Sequence, residues 1–176
     1  MELSPTAYVA LGMLNLGART GYDIKSAVDS STRFFWNASY AQIYPELKQL
    51  EKLGLVTGRL APTGGRKRKE YELTDAGRNA LVEWASGPAD MPVLRDESLL
   101  KLFFADALTR EQMVEQLRRR RIQNEGFLAL LRQIEQRAAQ SPELVSLVLD
   151  YGIEYAEFNI DWCRRQEERL QKKEAA

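Results

Sequence analysis

Apolar residues recur at helical spacing in three short segments near the start of the chain. Ser4, Thr20 and Ser39 each begin one segment, and serine and threonine are typical N-caps of helices. The residues that support these caps are Pro5, Asp23 and Gln42. Gly17 and Gly54 follow the first and third segments, where glycine commonly ends a helix. Three short helices joined by tight turns predict a helix-turn-helix.

Two stretches of alternating character come next, "LVTGRLA" and "KRKEYEL", on either side of residues 62–65. They predict the two strands of a hairpin. In the second strand, Lys69, Tyr71 and Leu73 share one face. Thr74 then caps a fourth helix that extends to about residue 85. The pattern therefore predicts a mainly α protein that begins with a winged helix-turn-helix and its two-stranded wing.

The second half of the chain is helical throughout, after a connector rich in glycine and proline, "SGPADMPVLRD". We predict a winged-helix DNA-binding domain over 1–86, a linker over 87–94 and a helical dimerisation domain over 95–176. A short apolar helix is expected over 97–107, with Leu99, Leu102 and Phe103 turned inward. Two long helices should follow it, the first capped by Thr109 with Gln112 and the second beginning at Ser141-Pro142.

Each long helix carries an apolar stripe, and that of the second has the alternating spacings of three and four residues found in coiled coils. The stripe residues are Met113, Leu117, Phe127, Leu131 and Ile134 on the first helix, and Leu144, Val148, Tyr151, Tyr155, Phe158 and Trp162 on the second. An antiparallel pair buries one stripe per helix, so we expect flanking residues such as Leu128, Leu130, Leu147 and Ile153 to be exposed in a single chain. A second copy is the simplest partner for such a surface. The residues assigned to a homodimer interface are Leu99, Phe103, Leu117, Phe127, Leu131, Leu144, Tyr151, Tyr155, Phe158 and Trp162.

Composition narrows the class of protein. The chain has 25 cations, 25 anions and 44% hydrophobic residues, as folded globular proteins do. No apolar run is long enough to span a membrane, and the N-terminus lacks a secretion leader. The single cysteine, Cys163, excludes an internal disulfide, and we expect a cytoplasmic protein. Because the chain has no histidine, no metal-ligand spacing and no phosphate-binding loop, we expect no catalytic site, no metal and no cofactor.

Positive charge is concentrated in the hairpin, although the chain as a whole is neutral. The run from residue 59 to 69 has no anion and contains five cations, Arg59, Arg66, Lys67, Arg68 and Lys69. On a wing, such cations would contact DNA phosphates or the minor groove. The alternative is a cluster that serves solubility alone. The preceding helix-turn-helix favours nucleic acid.

The third helix is the candidate reader of DNA. At 100° per residue, Ile43, Leu47 and Leu50 lie on its buried face, and Gln42 and Lys48 lie on its open face. Glutamine can bind adenine through two groups, and lysine can reach guanine or phosphate. The alternative is an ordinary solvated face. Pro45 leaves open whether this helix kinks or begins with a looser turn.

Four further groups of residues have an expected role, and three of the groups also have an alternative. Tyr22 and Lys25 could fix the DNA backbone, or Tyr22 could pack against the third helix. Phe34, Phe35 and Trp36 are expected to pack into the core, with a flat ligand pocket, shared with Trp84, as the alternative. Packing is the expected role of Trp162 and Cys163, with a ligand-binding or redox role as the alternative. A solvated or salt-bridged surface is expected for the arginines at 118–121.

The stretches "FWNASYAQIYPELKQLEKLGLVTGRL" and "KEYELTDAGR" resemble the PadR family of winged-helix transcriptional regulators. "ALGMLNLGARTGYDIK" is similar to that family's first helix and the start of its second. "DESLLKLFFADAL", followed by two long helices, resembles the C-terminal domain of the longer, virulence-activator-like branch.

This resemblance implies a homodimer joined through the C-terminal helices, with third helices in successive major grooves and wings over flanking double-stranded DNA. It implies repression relieved in some members by small phenolic or hydrophobic molecules, and in others action with a partner regulator. The matching DNA-facing positions are Ser39, Tyr40, Gln42, Lys48 and Arg66 to Lys69. We therefore predict a cytoplasmic, dimeric, non-enzymatic DNA-binding regulator, and a repressor in preference to an activator. The alternative is a protein-interaction module with little DNA affinity.

Overall fold

The computed structural model describes residues 3–63, 66–137 and 143–172, with side chains omitted at 62–67, 137 and 143–146. The chain divides into two compact units, Met1–Met91 and Pro92–Ala176. Within the described part, no helix has both the length and the apolarity needed to cross a bilayer.

The N-terminal unit contains four α-helices, α1 (Pro5–Asn15), α2 (Gly21–Ser30), α3 (Tyr40–Lys52) and α4 (Asp75–Ser86), with a 3-10 turn at Thr32–Phe34. The predicted caps are present. The Ser4 hydroxyl accepts a hydrogen bond from the Ala7 N–H at 3.1 Å. Thr20 and Asp23 form a reciprocal capping box at 3.1 and 3.0 Å. Gly54, with φ 72°, takes the left-handed conformation that ends α3.

The core of this unit is apolar and fully enclosed. Its largest buried side chains are Leu11, Val28, Ile24, Ile43, Leu47, Leu50 and Val56. Burying a side chain of this size contributes about 1.5–3 kcal/mol. α2 approaches α3 closely because Gly21 has no side chain: a Cβ there would lie 2.6 Å from the Tyr44 ring. This contact fixes α3 against α2.

The wing is an antiparallel hairpin of β1 (Val56–Thr63) and β2 (Arg66–Leu73), in a register that pairs Val56 with Leu73. The predicted alternation is confirmed, since Tyr71 is buried in the core and Leu73 packs against it. The Tyr71 N–H also donates to the Arg19 carbonyl at 2.7 Å. The root of β2 is therefore held by the helical core as well as by β1.

The C-terminal unit comprises α5 (Glu97–Phe103), a 3-10 turn (Ala105–Ala107), α6 (Arg110–Arg137) and α7 (Glu143–Lys172). The single helix predicted over 97–107 is wrong, because α5 ends at Phe103 and the chain re-forms only a tight turn. Phe103 is 80% exposed and Leu99 is also exposed, so their predicted inward orientation is wrong for a single chain, and Leu102 is half-buried. The Thr109–Gln112 capping box at the start of α6 is confirmed, at 2.8 and 3.3 Å. Ser141 and Pro142 lie outside the described residues.

α6 and α7 pack along their length, but α7 buries a different stripe from the expected one. Its buried face carries Ile153, Ala156, Ile160 and Cys163, so the prediction that Ile153 lies on an exposed flank is wrong. This stripe contains the small residues Ala156 and Cys163, next to Gly152, and small residues let α6 and α7 approach closely. A Cβ on Gly152, for example, would lie only 3.2 Å from Leu131. The bulky aromatic stripe of α7 is consequently turned outward.

Candidate nucleic-acid interface

α3 presents one polar face to solvent, as the periodicity predicts. Ile43, Leu47 and Leu50 are buried, and the exposed residues of the helix include Tyr40, Ala41, Gln42, Tyr44, Pro45, Lys48, Gln49 and Lys52. Tyr40 and Tyr44 stack with ring centroids 6.1 Å apart. This exposed face offers amide, ammonium and aromatic groups of the kinds that contact bases and phosphates.

Gln42 already has a structural role at the start of α3. Its Oε1 accepts hydrogen bonds from the Ser39 N–H at 2.9 Å and the Ser39 hydroxyl at 3.0 Å. The side-chain carbonyl is thus engaged in capping. To bind adenine through both of its amide groups, Gln42 would have to release Ser39.

Pro45 lies inside α3, which continues without interruption from Tyr40 to Lys52. Proline has no N–H to donate to the Ala41 carbonyl, four residues earlier. Both residues are exposed, so water can bind that carbonyl. The helix therefore accommodates Pro45 on its solvent side.

The two candidate contacts on α2 differ in their surroundings. Tyr22 is 61% exposed, so its predicted alternative role of packing against α3 is wrong; Gly21 makes that contact instead. Lys25 pairs with Asp29 one turn later and is largely covered. Of the two, Tyr22 is the residue that is open to a ligand.

The wing cations with described side chains are paired with carboxylates. Arg68 Nη2 donates to Asp23 Oδ1 at 2.7 Å and to Thr20 Oγ1 at 3.0 Å. Lys69 Nζ donates to Glu51 Oε2 at 2.6 Å. The side chains of Arg66 and Lys67 lie outside the described part of the structure.

These pairs influence the ionisation of their members. Burial opposes the charge on Asp23, but hydrogen bonds from Thr20 and Arg19 and the nearby Arg68 guanidinium outweigh it and lower the pKa of the carboxyl. The hydrogen bond to Glu51 raises the pKa of Lys69. Both shifts favour the charged form, the carboxylate of Asp23 and the ammonium of Lys69.

The predicted ligand-binding aromatics are at the surface. Phe34, Phe35 and Trp36 are exposed, so the expected packing of this segment into the core is wrong; Ala38 is its buried residue. Trp84 on α4 stacks on Tyr8 of α1 with centroids 4.6 Å apart.

A cavity of about 370 Å³ lies elsewhere in the N-terminal unit. It is lined by Leu14, Asn15, Gly17, Arg19, Tyr71, Glu72, Leu73 and Arg78. These residues come from α1, the turn between α1 and α2, β2 and α4, and no local sequence signal connects them.

The residues assigned to a dimer interface fall into three groups. Leu117 and Leu131 are buried within the single chain and belong to its core, so they are not available to a second copy. Phe127 and Trp162 are half-buried, and the side chain of Leu144 lies outside the described residues. The exposed members are Leu99, Phe103, Tyr151, Tyr155 and Phe158.

Sequence reasoning missed the buried polar residues of the C-terminal unit, Arg120, Asn159 and Glu167. Arg120 is only 6% exposed and donates to Asp96 Oδ2 and to Asn159 Oδ1, each at 2.6 Å, as well as to Ser98. Burial opposes ionisation of Asp96, yet hydrogen bonds from Ser98 and Arg120 lower its pKa to about 2. Arg120 stands among four consecutive arginines, and nothing local distinguishes it from the others.

The described residues contain no cluster of His, Cys, Asp and Glu side chains that could hold a metal ion. The buried Cys163 has a raised pKa because burial penalises its thiolate, consistent with a packing role.

Comparison with known proteins is consistent with this geometry. The model of the transcriptional regulator PadR-like family matches residues 10–83, and the model named virulence activator alpha C-term matches residues 94–171. The negative transcriptional regulator PadR of Bacillus subtilis is 32% identical over 166 residues, which cover 88% of this chain and 91% of that protein.

Two solved structures of the Bacillus subtilis protein are similar to this one. Its complex with operator DNA has a TM-score of 0.86 at 30% identity, covering 93% of this chain and 98% of that one. Its complex with p-coumaric acid has a TM-score of 0.80 at 28% identity, covering 94% and 98%.

Proposed function

Because the chain belongs to the PadR-like family of transcriptional regulators, we propose that it is a cytoplasmic, homodimeric repressor that binds operator DNA and releases it when a small aromatic ligand binds. The family consists of regulators rather than enzymes. The observation that carries the DNA-binding part is the exposed polar face of α3 beside a basic wing. The Bacillus subtilis relative, a negative regulator solved with operator DNA, supports the same assignment.

In this proposal α3 reads bases and the wing binds the backbone. The DNA-facing residues of the helical part are Tyr22, Ser39, Tyr40, Gln42 and Lys48. On the wing, Arg66 and Lys67 neutralise phosphates, a contact that carries affinity without sequence information. Lys25, Arg68 and Lys69 differ from these, because each already pairs with a carboxylate.

Dimerisation is proposed from the surface of the C-terminal unit. Tyr151, Tyr155 and Phe158 form an exposed aromatic row on α7, and Val148 and Leu147 extend it. On a protein in aqueous solution, a contiguous exposed apolar surface of this kind indicates an interaction site. A two-fold dimer would place two α3 helices on one face of DNA, with half-site centres about 34–36 Å apart.

The ligand part rests on the aromatic surface and on the relative solved with p-coumaric acid. Phe35 and Trp36 are exposed aromatic side chains on which an aromatic acid could stack. Phe34 lies under the Arg33 guanidinium and one face of Trp84 is covered by Tyr8, so an aromatic acid would reach these two rings from their remaining sides. By linkage, the factor by which the ligand weakens DNA binding must equal the factor by which DNA weakens ligand binding.

The primary test is selection of bound fragments from the genome by the purified protein, followed by footprinting of the best site and a reporter assay. We expect inverted half-sites and lower transcription when the protein is present. Direct repeats would contradict the two-fold geometry, and activation of the reporter would contradict repression. Operator binding by an extract but not by the purified protein would indicate a partner regulator.

Two variants separate the roles of wing and helix. Arg66→Ala with Lys67→Ala should weaken binding to all sequences and reduce the salt slope by about 0.9 for each phosphate that the wing no longer neutralises. Gln42→Ala should instead reduce discrimination at one base pair per half-site by about 1–3 kcal/mol, with an unchanged salt slope. Arg118→Ala with Arg119→Ala removes the same charge from exposed positions on α6 and is the control. Identical behaviour of the wing and Gln42 variants would contradict the assignment.

Titration with p-coumaric acid, followed by tryptophan fluorescence and by gel shift, tests the ligand. We expect quenching together with weaker operator binding, and loss of most of the quenching in Trp36→Phe. Quenching without any change in DNA affinity would contradict ligand control.

A further inference from the structure

The middle of β2 is tied to the helices on both faces of the hairpin. Neighbouring residues of β2 point to opposite sides of the hairpin, so Arg68 and Lys69 leave it in opposite directions. Arg68 reaches the start of α2, and Lys69 reaches the C-terminal half of α3. The two ion pairs therefore hold the strand from both sides.

The Arg68 contact is built into the cap of α2. One guanidinium nitrogen bridges the Thr20 hydroxyl and Asp23 Oδ1, at 3.0 and 2.7 Å. The other oxygen of Asp23 accepts from the Thr20 N–H at 3.0 Å and completes the capping box. Asp23 thus joins the helix terminus and the strand through a single carboxylate.

The Lys69 contact is shaped by its surroundings. A Cβ on Gly58, on the neighbouring strand, would overlap both the Lys69 stem and the Glu51 carboxylate, so glycine leaves room for this pair. The ammonium also lies 5.5 Å from the centre of the Tyr71 ring, a favourable cation–π distance. Three elements, α3, β1 and β2, define where Lys69 lies.

From this geometry we infer that Asp23 and Glu51 are positioning residues for DNA binding, which set the angle of the wing relative to α2 and α3 through Arg68 and Lys69. Arg68 and Lys69 then act as anchors of the hairpin, while phosphate contact belongs to the cations nearer its tip. The inference rests on the proposed DNA binding.

If Arg68 and Lys69 contacted phosphate instead, removal of Asp23 or Glu51 would change the DNA affinity in the opposite direction. If Arg68 and Lys69 bind phosphate, Asp23 and Glu51 compete with DNA for them, and removal of either carboxylate must increase affinity. If the pairs position the wing, the same removal must decrease affinity although the protein becomes more positive. Exposed ion pairs contribute up to about 1 kcal/mol, so we expect a loss of about two- to fivefold.

The experiment measures operator affinity and its salt slope for Asp23→Asn and Glu51→Gln in the full chain. Asn keeps an oxygen for the cap of α2, and circular dichroism with thermal unfolding verifies that each variant is folded. Glu72→Gln is the matched control, since Glu72 is an exposed carboxylate on β2 that pairs with Arg19 rather than with a wing cation. We expect weaker binding and an unchanged salt slope for the two test variants, relative to this control.

A charge exchange provides a second, independent measurement. Glu51→Lys with Lys69→Glu reverses the pair and leaves the net charge unchanged. If the pair positions the wing, the double variant should bind DNA more tightly than the sum of the effects of Glu51→Lys and Lys69→Glu measured singly predicts, because the tie is restored. If Lys69 contacts phosphate and the pair positions nothing, the two single effects should add.

Tighter binding or a steeper salt slope in Asp23→Asn or Glu51→Gln would overturn the inference, and so would affinities equal to that of the Glu72→Gln control. Wild-type protein that selects no DNA would instead refute the proposed function itself. The two failures are therefore distinguishable.

Discussion

The two units of the molecule differ in the kinds of side chain that they bury and expose. In the N-terminal unit the largest fully buried side chains are aliphatic, and the ion pairs lie at the periphery. The C-terminal unit buries Arg120, Asn159 and most of Glu167, yet leaves Tyr151 and Phe158 exposed. The N-terminal unit thus encloses its apolar residues, whereas the C-terminal unit has polar groups in its interior and aromatic side chains on its surface. We propose that the exposed aromatic side chains are covered by a second copy of the chain.

The largest expected effect tests the polar interior. Arg120→Ala leaves the Asp96 carboxylate and the Asn159 amide without their buried partner, and we expect the free energy of unfolding to fall by about 3–5 kcal/mol. Urea denaturation followed by circular dichroism, at one fixed protein concentration, measures it. Arg119→Ala is the control, because Arg119 is the exposed neighbour. Equal losses in the two variants would show that the buried group does not stabilise this unit.

A change in the apolar core of the N-terminal unit should come next in size. Leu47 is completely buried, and Leu47→Ala removes apolar packing and leaves a cavity, for an expected loss of about 2–5 kcal/mol. The same denaturation experiment measures this, with Leu16→Ala as an exposed control. A loss no greater than in the control would contradict the description of a closed core.

The contribution of the buried polar group in the C-terminal unit should depend on pH, because Asp96 must be ionised to pair with Arg120. Its pKa falls from 3.8 in the unfolded chain to about 2 in the fold, so the carboxylate stabilises the fold above about pH 4, and this stabilisation disappears as the pH falls through 2. Asp96→Asn should therefore cost about 2 kcal/mol at pH 7 and much less near pH 2. Urea midpoints across this range measure the difference. A cost that is independent of pH would contradict the assigned role of the charge.

The smallest effect on stability is expected at the exposed aromatic row. Phe158→Ser should change the unfolding free energy of the single chain by no more than about 0.5 kcal/mol, since Phe158 is already exposed. Together with Tyr151→Ser it should halve the mass measured by light scattering, from two chains to one. Glu154→Ser, an exposed polar position on the same helix, is the control. A wild-type monomer would contradict the proposal that a second copy of the chain covers these side chains.

Local signals predicted the elements well, because a helix start depends on a few neighbouring residues. The caps at Thr20 and Thr109 each involve a partner three residues later, so they are visible in the sequence. The exposed face of α3 also follows from periodicity alone. The prediction failed at residues 97–107 and on α7, where two stripes of similar spacing compete and only the distance between helices selects Ile153 over Tyr155.

Some features of the candidate DNA-binding site follow from consecutive residues, and others depend on tertiary packing. The sequence by itself determined that a winged helix carries its cations on the hairpin and its polar face on α3, because charge and periodicity are properties of consecutive residues. Only the tertiary structure decided that Arg68 pairs with Asp23, which lies 45 residues away, and that Arg120 alone among its neighbours is buried. Such pairs depend on how elements pack, and no pattern within one element specifies its partner.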